Sequence, residues 1–237
     1  MRRFIVMLAL ALPLCVGCAT TKTGSSAVPP VASGIEVSSA PAGTSGAAET
    51  VAGGRPDDGG TYRVTYGWAV PSNRVTVPHT VNPPISTPIG VPLPYLAEIR
   101  TGDHAGEKPG YGRISYYFRG AFPEYNLQYV GQVLSEAKGD PVPLEGNAKL
   151  RIQFVHAQAH DDGGNSTITY AANQHIGFKN LVSYAPAGDY EGYLSYGLGI
   201  QVAPNSDQVL PIRVGELKKP DGHGDFFYVI AVDVQLG

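Results

Sequence analysis

The stretch that decides the fold is Ala148-Lys149-Leu150-Arg151-Ile152-Gln153-Phe154-Val155. Apolar Ala148, Leu150, Ile152 and Phe154 alternate with polar Lys149, Arg151 and Gln153. Successive side chains of an extended chain point to opposite faces, so this run is a strand with one buried and one solvated face. The same period recurs on both sides of it. Ile114, Tyr116 and Phe118 share one face, and Tyr125, Leu127 and Tyr129 alternate with Asn126 and Gln128. Residues 96–100, 181–184, 190–198, 212–217 and 226–234 also read as strands. The last is apolar on both faces, as for a strand in mid-sheet. Turn words separate them: Gly110, Gly139-Asp140-Pro141, Glu145-Gly146-Asn147, Asp162-Gly163-Gly164-Asn165, Pro186-Ala187-Gly188-Asp189 and Asp221-Gly222. No window of ten or more residues shows a convincing helical period. The sequence therefore predicts a single all-β domain over 95–237, a β-sandwich or partly closed barrel.

Composition agrees. In 237 residues, 43% are hydrophobic and only 16% charged, with 30 Gly and 20 Pro. That balance supplies a core but favours turns and linkers over surface helices. The net charge is -3 and no stretch is densely basic, which argues against nucleic acid as a partner.

Upstream, residues 61–70 alternate Tyr62, Val64, Tyr66 and Trp68 with smaller or polar residues and read as a strand docking on the domain. A proline-rich collar follows, completing a 61–94 segment: Pro71, Pro78, Pro83, Pro84, Pro88, Pro92 and Pro94 exclude helix and central strand. Residues 18–60 form the N-terminus of the mature chain and a linker without aromatics. Such a chain cannot offset its ordering entropy and is expected to be disordered, spanning roughly 35 Å.

Residues 1–17 read as a signal peptide. Met1-Arg2-Arg3 precedes an apolar run over 4–14, far short of the ~20 residues that span a bilayer. Leu14-Cys15-Val16-Gly17-Cys18 resembles the bacterial lipobox, whose final Cys receives diacylglycerol and becomes the N-terminus. Cys15 stands where Leu is usual. The alternative, a chemical C-x-x-C, is poor because the motif lies inside the signal and no second Cys pair exists. Lipidation at Cys18 would place the chain on the extracytoplasmic face of the cell membrane, held by acyl chains such as palmitate. No disulfide would then support the domain.

The order of segments from Tyr95 onward resembles the AMIN-like domain of lipoproteins from high-GC Gram-positive bacteria. The words that carry it are Leu96-Ala97-Glu98-Ile99-Arg100-Thr101-Gly102, Gly110-Tyr111-Gly112-Arg113-Ile114-Ser115-Tyr116-Tyr117-Phe118, Tyr129-Val130, Pro141-Val142-Pro143-Leu144, Ala157-Gln158-Ala159-His160-Asp161, Gly188-Asp189-Tyr190-Glu191-Gly192 and Tyr196-Gly197-Leu198-Gly199. Gly112 departs from the pattern, which has an acidic residue before the Arg. The resemblance implies a domain similar to AMIN modules, small β-sandwiches appended to wall amidases and secretin subunits. Those modules direct their partners to the envelope through peptidoglycan.

Candidate chemistry is sparse. His156, His160, Asp161 and Asp162 are the densest titratable group. His156 and His160 would share a face only on a helix, and this segment leaves a strand. Asp161-Asp162-Gly163-Gly164-Asn165 lacks the alternating acids and closing Glu of a calcium loop. The simplest reading has the acids capping a turn and His160 bonding backbone across it, with ligand contact by His160, Asp161 and Asp162 as the functional alternative. Gly188-Asp189-Tyr190-Glu191-Gly192 offers two carboxylates on one strand face, whereas a glycosidase pair comes from separate strands. Gly197-Leu198-Gly199 is no nucleophile elbow. Tyr117 and Tyr193 fall opposite the apolar faces, where rings stack on sugars or cover a second layer.

The sequence is expected to encode an envelope binding or scaffolding module without catalytic residues, metal or cofactor. Its expected partners are the membrane and peptidoglycan or an envelope protein. The competing class is a wall-polymer hydrolase or transferase with a site near His160, Asp161 and Asp162. Growth with a clickable fatty acid should label the protein, and Cys18→Ala should abolish the label; labelling that survives the change removes the anchor.

Overall fold

The computed structural model describes residues 61–79, 92–204 and 208–237. The signal, Cys18, the tether and residues 80–91 of the collar lie outside them. Within them the chain folds into eleven strands and no helix: β1 Tyr62–Ala69, β2 Val75–Val77, β3 Tyr95–His104, β4 Tyr111–Arg119, β5 Glu124–Val130, β6 Ala148–Val155, β7 Tyr170–Ala171, β8 Leu181–Tyr190, β9 Tyr193–Ile200, β10 Ile212–Pro220 and β11 Phe226–Gln235.

They make a six-stranded sheet, β1-β10-β11-β4-β3-β7, and a five-stranded sheet, β2-β5-β6-β9-β8. Two sheets with no closed barrel make a β-sandwich. The inward positions of β4, β5, β6, β9 and β11 form one core. Phe154 of β6 packs edge-on against Tyr116 at 4.9 Å and Phe118 at 4.8 Å. β11 lies in mid-sheet between β10 and β4, which accounts for its apolar run on both faces.

Two expectations change. The stretch read as a docking strand is part of the sheets themselves: β1 pairs with β10, and β2, just beyond it, pairs with β5. One short segment thus supplies an edge strand to each sheet. Pro186-Ala187-Gly188-Asp189, read as a turn, lies inside β8. Proline is accepted there because β8 is an edge strand with a register shift between Pro186 and Gly188. The reversal comes at Glu191-Gly192, with φ of 50° and 77°, as a two-residue hairpin of this type requires.

The outward side of β6 is also covered. Lys149 donates to the carbonyls of Leu144, Glu145 and Gly146, while Arg151 and Gln153 both donate to Glu136 Oε1 at 2.7 and 2.9 Å. The 131–147 connection therefore lies over polar residues that the alternation alone would leave in water.

Among the described residues, two carboxylates are buried. Asp233 of β11, 0% exposed, takes hydrogen bonds from Arg113 and Arg213 on its two neighbouring strands. Glu216 of β10, 2% exposed, faces inward and accepts from Arg63 at 2.6 Å, His79 at 2.7 Å and Tyr125 at 2.9 Å. Burial pushes the Glu216 carboxyl up, but the hydrogen bonds from His79 and Arg63 outweigh it and hold the group below the ordinary carboxylate range.

Ile152 and Leu150 are both 0% exposed. Truncating either to Ala should cost roughly 2–5 kcal/mol in denaturant melts through lost burial and a cavity. Arg151→Ala and Gln153→Ala should each cost below about 1 kcal/mol, since they break only partly exposed contacts; equal costs at neighbouring positions would contradict the register. A group whose folded pKa is depressed stabilises above its unfolded pKa, and that stability is lost as pH falls through the folded value. Melting temperature should therefore drop below the ordinary Glu pKa of 4.5, and Glu216→Gln should make that drop shallower. An unchanged acid limb would remove Glu216 from the account.

Candidate functional site

The segments 157–161 and 188–192 are far apart in sequence and meet in space. Residues 157–160 run along one end of the sandwich. Ala157 N–H donates to Gly192 O, Gln158 N–H to Pro94 O, and Leu96 N–H to Gln158 O. This ties them to the start of β3 and to the β8–β9 turn. His160 Nδ1 then lies 2.8 Å from Asp189 Oδ2, and Ala159 N–H donates to the same oxygen at 3.1 Å. With Nδ1 committed to the carboxylate, Nε2 lies on the opposite edge of the ring.

Asp161 has the turn-capping role foreseen for it. Its Oδ1 accepts the N–H groups of Gly163 and Asn165, and these bonds, Asn165 foremost, hold its carboxyl below the usual range. Asp162 is exposed in the same turn. His160 departs from expectation, since its ring bonds a carboxylate rather than backbone across the turn. The paired acids of 188–192 do not share a strand face, because Asp189 lies within β8, which ends at Tyr190, and Glu191 forms the turn.

A cleft of about 470 Å³ opens between the sheets beside the His160–Asp189 pair. Its floor is apolar and aromatic: Ile99, Leu194, Tyr184 and Tyr196. Its rim is polar, with His160, Asp189, Ser166 and Gln174. Burial, helped by Tyr184 and Asp189, pushes the Tyr196 phenol up, so it remains a hydroxyl donor at neutral pH. Asp189 Oδ1 is buried with no hydrogen-bond partner among the described residues, although Oδ2 has two. An unmet buried acceptor costs about 1–3 kcal/mol, which a donor that reached it would recover.

On the other side of Gly188 and Asp189 lies a second hollow of about 670 Å³, lined by Glu136, Gln153, Tyr190 and Tyr193. Ser195, buried in β9, donates to Glu136 together with Arg151 and Gln153. A Cβ on Gly188 would meet Glu136 Oε2 at 2.6 Å, so the strand accepts only glycine while Glu136 holds this position. Tyr193 of β9 thus lines one hollow with Glu136, Asp189 and Glu191. Tyr117 does not join them: it lies on the outer face of the other sheet, edge-on to Phe227 at 5.4 Å and beneath Arg100. Among the described residues, no group of three His, Cys, Asp or Glu is arranged to hold a metal.

Sequence reasoning missed Glu136 and the partnership of His160 with Asp189. The available signal was that each of the two lies in a distinctive word. Residues 94–235 match the AMIN-like domain family. No curated protein and no solved structure gives a significant match to the chain.

Proposed function

We propose that this chain, which belongs to the AMIN-like domain family, is a membrane-anchored envelope lipoprotein whose β-sandwich binds a component of the cell wall. Peptidoglycan is the first candidate ligand and an envelope protein the second. The observation that carries the reading is the cleft at Asp189. It is walled by Ala159 and His160 of one of the words that carry the resemblance and by Gly188 and Asp189 of another, floored by aromatic rings and rimmed by acceptors. Acids on both sides of Gly188 select a donor-rich group, such as sugar hydroxyls or an amine, over an anion. His160, Asp189 and Tyr193 are the residues we assign to contact; Asp161 shapes the turn beside them.

We read the site as binding without catalysis. The hydrolase alternative rests on one observation, that a histidine oriented by a carboxylate is half of a nucleophile-activating arrangement. In that cleft Ser166 accepts the Ile168 N–H through Oγ.

The test is co-sedimentation of the chain with purified peptidoglycan. Asp189→Asn and His160→Ala should each weaken binding roughly tenfold while the melting temperature changes little, because the pair is partly exposed. Retention equal to the parent chain would refute the site, and release of soluble sugar or peptide that His160→Ala abolishes would favour the enzyme.

A further inference from the structure

We infer that the outer face of the six-stranded sheet carries a second binding site, a furrow that takes a glycan bearing carboxylates. It goes beyond the cleft reading and does not rest on it. The furrow follows from register. Arg100 of β3 lies opposite Ser115 of β4, Ser115 opposite Ala231 of β11, and Ala231 opposite Gly215 of β10. Side chains alternate, so these residues make one cross-strand row on the outward face. The row on one side holds Tyr117, Val229 and Leu217; the row on the other holds Arg113, Asp233 and Arg213. Small side chains between two rows of large ones leave a hollow across the strands, about 260 Å³ in volume. Tyr62 closes one end by lying over Gly215, where a Cβ would fall 2.1 Å from its ring. Arg100, with its side chain 52% exposed, stands at the other end.

The charge of the hollow decides what it takes. Arg113 and Arg213 share one carboxylate, that of Asp233, so two guanidinium groups face a single negative charge. The Arg100 charge is met by Glu98 at 2.6 Å. Burial and the neighbouring Arg113 lower the His104 pKa, so that ring adds no charge near neutral pH. The face is therefore positive in a chain whose net charge is -3. A guanidinium fork matches a carboxylate in shape and charge. Ser115 offers a hydroxyl between the walls, and the rings of Tyr62 and Tyr117 flank it. A hydroxyl between aromatic walls suits a sugar ring, and the excess guanidinium suits a carboxylate on it.

The test titrates the full chain with oligogalacturonate by calorimetry, alongside the same oligomer with its carboxyls methyl-esterified. The acid form should bind at least tenfold tighter than the ester. Arg100→Gln, and Ala231→Leu to fill the furrow, should each weaken binding at least tenfold. Arg74→Gln, beside β2 of the other sheet, should not. Arg100 is an exposed side chain, so Arg100→Gln decides the matter even where Ala231→Leu perturbs folding. Equal binding of acid and ester, no binding of either, or indifference to Arg100→Gln overturns the proposal. Phosphatidylglycerol vesicles that bind through Arg100 while oligogalacturonate does not would also overturn it, assigning the face to a membrane.

Discussion

The structure depends most on the burial of Asp233 between two arginines. β11 lies between β10 and β4, and Asp233 lies opposite Arg213 on one and Arg113 on the other. Arg113 bonds both carboxylate oxygens, at 2.6 and 2.9 Å, while Arg213 places two nitrogens on Oδ2. Breaking such a buried set by removing one partner costs about 3–5 kcal/mol. A slip of one residue would turn Asp233 into the apolar core and leave both arginines without it, so the clamp fixes three strands in register at once. Trp68 over Arg213 and Tyr111 over both arginines cover part of the clamp, whose arginine side chains stay 22% and 23% exposed while Asp233 is fully buried. Every cross-strand row on that face, including the small one that forms the furrow, is aligned by it.

Glu216 does for the two layers what Asp233 does within one. It sits inside the sandwich, where Tyr125 of the opposite sheet reaches it and Thr65 in turn bonds the Tyr125 hydroxyl. A charge at an inward position is tolerated because Arg63 and His79 close over it. Arg63 comes from β1 and His79 from the collar that follows it, which ties the 61–79 stretch to the core chemically as well as by backbone pairing.

Much of this could be read in the sequence where one face is wet and the other dry. β4, β5 and β6 announce themselves because strict alternation has a single structural meaning. β8 did not, since Pro186 and Gly188 spell a turn and only their place on a sheet edge makes them strand. His160 and Asp189 lie 29 residues apart, and nothing in local periodicity joins them. The polar cover of β6 was illegible for the same reason: Glu136 belongs to a connection without period, and its three donors are defined only once the strands are paired. Tyr117 and Tyr193 were correctly sought away from the core, but a sequence does not say which of two sheets a strand joins. They ended on surfaces of opposite charge.

The family match begins at residue 94, whereas the hydrogen-bonded body begins at Tyr62. The matched region is thus smaller than the unit of folding. A chain shortened to the matched region would bare the backbone of β10 in one sheet and of β5 in the other, two long edges of the kind that recruit a neighbouring molecule. It would also leave Glu216 inside the sandwich without Arg63 and His79. The region matched by the family model is an incomplete object in this protein, and its completion comes from residues 61–79, which lie ahead of the match.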